Sequence, residues 1–194
     1  MSGASRRPVS GLVLLLGLLA AAVLALAACG GGGGGGGPTE PTPPPPPPPL
    51  PGIVFTAQGT PGASTLFLAS GAATTATTLV LELRASQVTD LYGVAFDLSL
   101  PSAQLQFVRV TPGPLLAGGT VQAAPSGAGT LVVGGTHLGN VPGASGSGVI
   151  MTLELSAVAA GSGSFAFSRN TALDSSGDPL SGVAWLAGSV QVTR

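Results

Sequence analysis

The chain has 194 residues, of which only 7% are charged, and its formal net charge is −1. Its six basic residues are all arginine, so the sequence lacks the clustered positive charge of nucleic-acid-binding proteins. A single cysteine excludes a framework of internal disulfides. The 32 glycines and 18 prolines make the chain rich in residues that form turns.

The first 28 residues predict a secretory signal peptide. Arg6 and Arg7 form a short basic segment, and an apolar stretch follows from residue 9 to residue 28. The sequence Leu-Ala-Ala-Cys, which ends at Cys29, is similar to the lipobox of bacterial lipoproteins. This resemblance implies cleavage before Cys29, a lipid on its sulfur, and a membrane-anchored protein of the bacterial cell envelope, at the outer membrane or cell surface. The alternative is an uncleaved transmembrane helix, because about twenty apolar residues span a bilayer.

Residues 29–52 predict a linker between this anchor and the rest of the chain. Glycine occupies every position of Gly30–Gly37, and proline occupies every position of Pro43–Pro49. Such a composition buries too little apolar surface to offset the entropy of ordering the chain. We expect a disordered stalk, in which the glycines form a flexible coil and the prolines form a polyproline II rod of roughly 22 Å, at about 3.1 Å per residue.

Residues 53–194 form a candidate single domain in which apolar side chains recur at every second position. Leu79, Leu81 and Leu83 share one face of a predicted strand, with Glu82 and Arg84 on the other. The same period in residues 91–100 and 149–156 places on one face Tyr92, Val94, Phe96, Leu98 and Leu100, and Val149, Met151, Leu153 and Leu155. The opposite faces carry Gly93, Ala95, Asp97 and Ser99, and Ile150, Thr152, Glu154 and Ser156.

Turn-forming residues, such as Pro112-Gly113 and Pro142-Gly143, separate these runs. The domain shows no convincing amphipathic helical pattern. Many short strands, each with one apolar face, predict an all-β fold in which two sheets form an antiparallel β-sandwich.

Four segments of this domain resemble cohesin domains. They are residues 91–100, 105–116 and 146–155, and the stretch 173–180 with its Asp-x-x-Gly turn. The resemblance implies a jelly-roll sandwich of about nine strands, related to some carbohydrate-binding modules. It also implies a non-catalytic interaction module, since the best-known cohesins bind dockerin modules and so attach cellulases to scaffoldins. The expected partner is a protein, either dockerin-like or another envelope protein.

The resemblance also suggests where a partner binds. Cohesins bind partners on the sheet that includes their third and eighth strands. The matching outward positions are Gly93, Ala95 and Asp97 on one strand and Thr152 and Glu154 on another. Small residues would keep this surface flat, and the two carboxylates would select a partner that carries Arg or Lys. The alternative is a solvated strand face without a partner.

Two other functions remain open at this stage. A carbohydrate-binding module associated with polysaccharide binding or degradation would use Trp185, with Tyr92, as a ring platform for sugar. Trp185 has an alternative place in the hydrophobic core. A purely structural envelope lipoprotein is the other possibility.

The sequence offers little for catalysis, and we expect no enzyme and no cofactor. His137 is the only histidine, so we expect a surface or strand-end residue rather than a metal ligand. The carboxylates of Glu82, Asp97 and Glu154 are most simply solvated strand residues. The segment 174–178 could offer oxygens to calcium, but a turn stabilised by aspartate is the simpler interpretation.

Overall fold

The computed structural model describes residues 51–127 and 129–194. The predicted signal peptide, Cys29 and nearly all of the predicted stalk lie outside these residues. The described residues form eleven strands, in chain order: β1 (Gly52–Ala57), β2 (Thr65–Ser70), β3 (Thr78–Leu91), β4 (Gly93–Ser99), β5 (Leu105–Pro112), β6 (Thr120–Pro125), β7 (Thr130–Thr136), β8 (Ala144–Ala157), β9 (Gly161–Leu173), β10 (Ala184–Leu186) and β11 (Gly188–Thr193). One turn of 3-10 helix, Pro114–Leu116, lies between β5 and β6.

The strands form a sandwich of two sheets, which confirms the predicted fold class. One sheet has six strands in the order β1-β11-β9-β4-β7-β6, and the other has five in the order β10-β2-β3-β8-β5. The pairs are antiparallel except for β10 with β2, which is parallel. β1 and β10 were not predicted as strands. β1 directly follows the proline run, and the three residues of β10 are too few to show a period of two.

The inner faces of the two sheets carry the leucines that the alternation predicted. Leu79, Leu81 and Leu83 of β3 are fully buried, and the register pairs them with Leu155, Leu153 and Met151 of β8. On the other sheet, Val94, Phe96 and Leu98 of β4 are buried, as are Val190 and Val192 of β11. Burial of these apolar faces against each other holds the two sheets together.

Register shifts interrupt the pairing of β3 with β8, of β4 with β9 and of β5 with β8, and those at Ile150 and Arg169 break the simple alternation. In β8, Met151 pairs with Leu83 and Val149 pairs with Arg84, so Ile150 is an extra residue. Its side chain is buried, although the simple alternation placed it on the outer face. In β9 the register with β4 shifts between Ala95 and Asp97, and the extra length includes Arg169, whose φ is +48°.

Candidate functional site

The five residues predicted to bind a partner do not share one surface. Gly93, Ala95 and Asp97 lie in β4 of the six-stranded sheet, whereas Thr152 and Glu154 lie in β8 of the five-stranded sheet. The prediction of a single face is therefore wrong. β4 lies between β7 and β9, and β9 is the next strand along the chain after β8. The alternation in β8 indicates which of its side chains point inward but does not reveal the sheet to which the strand belongs.

The outer face of the six-stranded sheet is built mainly from small side chains. The register aligns the outward residues of β6, β7, β4 and β9 in two neighbouring rows across the sheet. In strand order, the first row is Gln122, Gly134, Ala95 and Thr171, and the second is Ala124, Val132, Asp97 and Ser168. We call these eight residues, together with Gly93, the small-residue face. Gly93, Ala95 and Gly134 line a shallow depression of about 360 Å³ in it. A second depression of similar size adjoins it, and its lining includes Ala124 and Val132.

Gly134 and Ala95, which line the depression, are not required to be small by the packing around them. A Cβ atom at Gly134 would lie 3.9 Å from its nearest neighbour, the carbonyl oxygen of Val94, which is an ordinary contact. Ala95 is exposed, so a larger side chain there would project into solvent. We therefore expect both positions to accept a larger side chain without disturbing the core.

One ion pair stands on this face. Arg169, at the bulge of β9, donates from Nε to Oδ2 of Asp97 at 2.6 Å, and its Nη2 contacts the same oxygen. The Asp97 side chain is only 8% exposed, whereas that of Arg169 is 77% exposed. The expectation of an accessible carboxylate at Asp97 is therefore wrong, because the guanidinium covers it. This pairing joins residues 72 positions apart, and no local sequence signal indicates it.

The outer face of the five-stranded sheet has a different character. Arg84 pairs with Glu82 at 2.7 Å along β3, and Arg109 of β5 pairs with Glu154 of β8 at 2.6 Å. Thr152 lies between the two pairs in register with Glu82. The carboxylates Glu82 and Glu154 are thus ion-paired and only partly exposed, so this face presents paired charges rather than a bare depression.

The arrangement of the two sheets matches solved structures. The second type II cohesin module of a scaffoldin from Acetivibrio cellulolyticus aligns with a TM-score of 0.53 and 15% identity, over 64% of this chain and 87% of that one. A type II cohesin from Bacteroides cellulosolvens aligns with a TM-score of 0.51 and 13% identity, over 62% and 92%. The described domain has the cohesin fold.

Another solved structure with this fold holds a bound partner. A type II cohesin–X–dockerin complex from Acetivibrio cellulolyticus aligns with a TM-score of 0.51 and 14% identity, over 62% of this chain and 91% of that one. No protein-family model and no curated protein matches the sequence. The likeness to the cohesin fold is therefore shown by the three-dimensional structure, at identities of 13–15%.

The aromatic residues of the carbohydrate-binding alternative do not form a row in this cohesin fold. Trp185 in β10 is half-buried, with its ring centroid 5.1 Å from that of Phe167 and 5.7 Å from that of Phe96. Tyr92 precedes β4, which belongs to the other sheet, and its hydroxyl donates to the carbonyl oxygen of Gly139. The core position of Trp185 is thus confirmed, and carbohydrate binding by Trp185 and Tyr92 stays a prediction.

The remaining candidate residues lie at a strand end and in a turn, and the buried Nε2 of His137 has no hydrogen-bond partner among the described residues. His137 directly follows β7, as a strand-end residue should, and its ring lies 5.7 Å from that of Tyr92. Oδ1 of Asp174 accepts hydrogen bonds from the amides of Ser176 and Asp178, both at 2.9 Å, which confirms the aspartate-stabilised turn. Within residues 51–127 and 129–194, no three His, Cys, Asp or Glu side chains are grouped to hold a metal ion. No helix in that part of the chain is long and apolar enough to cross a membrane.

Asp90 joins three segments at one end of the sandwich, a role that the sequence did not reveal. Its Oδ1 accepts from the amide of Gly143 at 2.9 Å, and its Oδ2 accepts from the hydroxyl of Ser175 at 2.8 Å. The hydrogen bond from the Ser175 hydroxyl is the main reason that the pKa of Asp90 lies below its ordinary value; desolvation opposes it, and the amides of Ser175 and Gly143 contribute further lowering. The positive φ of Asp90, +56°, directs the chain into this arrangement.

Proposed function

We propose that this chain is a lipid-anchored, non-catalytic interaction module of the bacterial cell envelope that binds a protein partner through the small-residue face. The observation that carries the proposal is the contrast between the two outer faces. One has an open depression lined by Gly93, Ala95 and Gly134. The other presents two ion pairs, Arg84 with Glu82 and Arg109 with Glu154.

Small residues favour protein binding because they let the backbone of a partner approach the sheet closely. Binding is also favoured when a partner removes exposed apolar surface from water. Val132, which is 42% exposed, offers such a surface. A partner that covers this face needs to bury roughly 800 Å² of it to form a stable complex. The type II cohesin–X–dockerin complex supports the same class of partner, and we extend it here to a dockerin-like or other envelope protein.

Membrane attachment through Cys29 is the second part of the proposal. Its support is the Leu-Ala-Ala-Cys sequence behind a basic and apolar leader. Two or three acyl chains anchor a protein firmly, since each buried CH₂ contributes about 0.8 kcal/mol. A Cys29→Ser variant removes the thiol that accepts the lipid and should accumulate as uncleaved precursor without labelled palmitate. Equal labelling of wild type and Cys29→Ser would reject lipidation.

The binding face is tested with two matched variants of the full chain in detergent. Ala95→Arg fills the depression of the small-residue face, whereas Thr152→Arg places the same side chain on the opposite sheet. Proteins captured from a lysate of the source organism should be lost with Ala95→Arg and retained with Thr152→Arg. Equal melting temperatures of the two variants would show that neither change disturbs the fold.

Other outcomes would assign the function differently. Loss of capture with Thr152→Arg alone would move the binding site to the five-stranded sheet. The same variants, with Trp185→Ala, should also be tested on a panel of polysaccharides. Polysaccharide binding that Trp185→Ala abolishes, and that Ala95→Arg leaves intact, would favour the carbohydrate-binding alternative.

A further inference from the structure

Arg169 is the exposed charge of the small-residue face, and most of its hydrogen-bonding capacity is unused by Asp97. A guanidinium carries five N–H donors. Asp97 receives its contacts from Nε and Nη2 on one oxygen, Oδ2. The remaining donors belong to a side chain that is 77% exposed, so they are accessible to a partner that covers this face.

The position of this guanidinium is fixed before any partner arrives. The bulge in β9 sets the backbone of Arg169 at φ +48°, and the buried carboxylate of Asp97 holds the head of the side chain. A side chain that is already ordered loses little rotamer entropy on binding. Arg169 therefore presents a preorganised cation on the same face as the depression, because its partner Asp97 lies two residues along β4 from Ala95, which lines the depression.

The covered position of Asp97 determines the sign of the charge that a partner meets. A partner cation would approach Arg169 before it could reach Asp97, whose side chain is only 8% exposed. A carboxylate, in contrast, can accept from the free N–H groups of Arg169 in the paired geometry that guanidinium and carboxylate favour. We propose that the partner is an acidic protein surface that places an Asp or Glu against Arg169 and apolar side chains in the adjacent depression.

This inference rests on the proposed function. It predicts a partner that carries Asp or Glu, whereas the sequence suggested one that carries Arg or Lys. The other strand arginines do not compete for the same partner residue, because Arg84 and Arg109 lie on the five-stranded sheet. Arg109 is a matched control, since it is also a largely exposed guanidinium paired to a strand carboxylate.

The test uses phage that display protein fragments encoded by the source organism's genome, selected on the full chain and counter-selected on the Ala95→Arg variant. Fragments that survive bind the small-residue face. Their affinity should fall by about tenfold or more with Arg169→Gln, the value expected for a lost charged hydrogen bond, and stay unchanged with Arg109→Gln. Charge reversal should restore it, so a fragment whose Asp or Glu is changed to Lys should bind the double variant Asp97→Asn with Arg169→Glu better than wild type.

The double variant Asp97→Asn with Arg169→Gln distinguishes a loss of binding from a loss of folding. It removes the cation without leaving a buried carboxylate unpaired. It should weaken binding as Arg169→Gln does while keeping the wild-type melting temperature. Fragments that depend on Ala95 but tolerate both Arg169 variants would overturn the acidic-partner inference and leave the proposed face intact. A selection in which no fragment depends on Ala95 would overturn both.

Discussion

The aromatic cluster of Phe96, Phe167 and Trp185 gives the sharpest test of the packing between the two sheets. Phe96 of β4 is 2% exposed, and its ring lies 5.2 Å from Phe167 in an edge-to-face contact and 5.7 Å from Trp185. Truncation to alanine should therefore lower the free energy of unfolding by about 3–5 kcal/mol. The two ring contacts contribute about 0.5–1.5 kcal/mol each beyond the buried area.

Urea unfolding followed by fluorescence measures this effect directly, because Trp185 is the only tryptophan of the chain. Its emission should shift to longer wavelength as the cluster opens. Val132→Ala, at a position 42% exposed on the outer face, is the matched control and should change stability by about 0.5 kcal/mol or less. A double-mutant cycle of Phe96→Ala and Trp185→Ala, followed by circular dichroism, should give a coupling energy of about 0.5–1.5 kcal/mol. A cost below about 1 kcal/mol for Phe96→Ala, or zero coupling, would refute the core position of Trp185.

Two further predictions concern ionised groups. Arg169→Gln should destabilise the domain by about 1–3 kcal/mol, because it removes the hydrogen-bond donors of the buried Asp97 carboxylate. Adding Asp97→Asn should recover most of this loss, as measured by thermal unfolding. The pKa of Asp90 in the folded state lies below its ordinary value of 3.8. The ionised carboxylate therefore stabilises the fold at pH values above 3.8, and this contribution is lost as the pH falls through the folded-state pKa. Urea midpoints measured from neutral pH down to acid should therefore decline less in Asp90→Asn than in wild type. Parallel curves for the two proteins would contradict the role of the Ser175 contact.

The sequence by itself determined where most strands lie and which of their faces turn inward. Leu79, Leu81 and Leu83 recur at every second position, and a strand turns every second side chain to the same side, so one apolar row required one buried face. The turn around Asp174 was also predictable, because an aspartate side chain captures the amides that immediately follow it. These are local relationships, and the residues that define them are neighbours in the chain.

Only the tertiary structure decided which strands share a sheet and which charges meet. β8 pairs with β3 and β5, whereas β9, the next strand along the chain, pairs with β4 and β11 in the other sheet. Bulges then shifted the parity at Ile150 and placed Arg169 over Asp97. Sheet pairing and bulges depend on contacts between residues far apart in the chain, whereas the period of two records only the side to which each residue points.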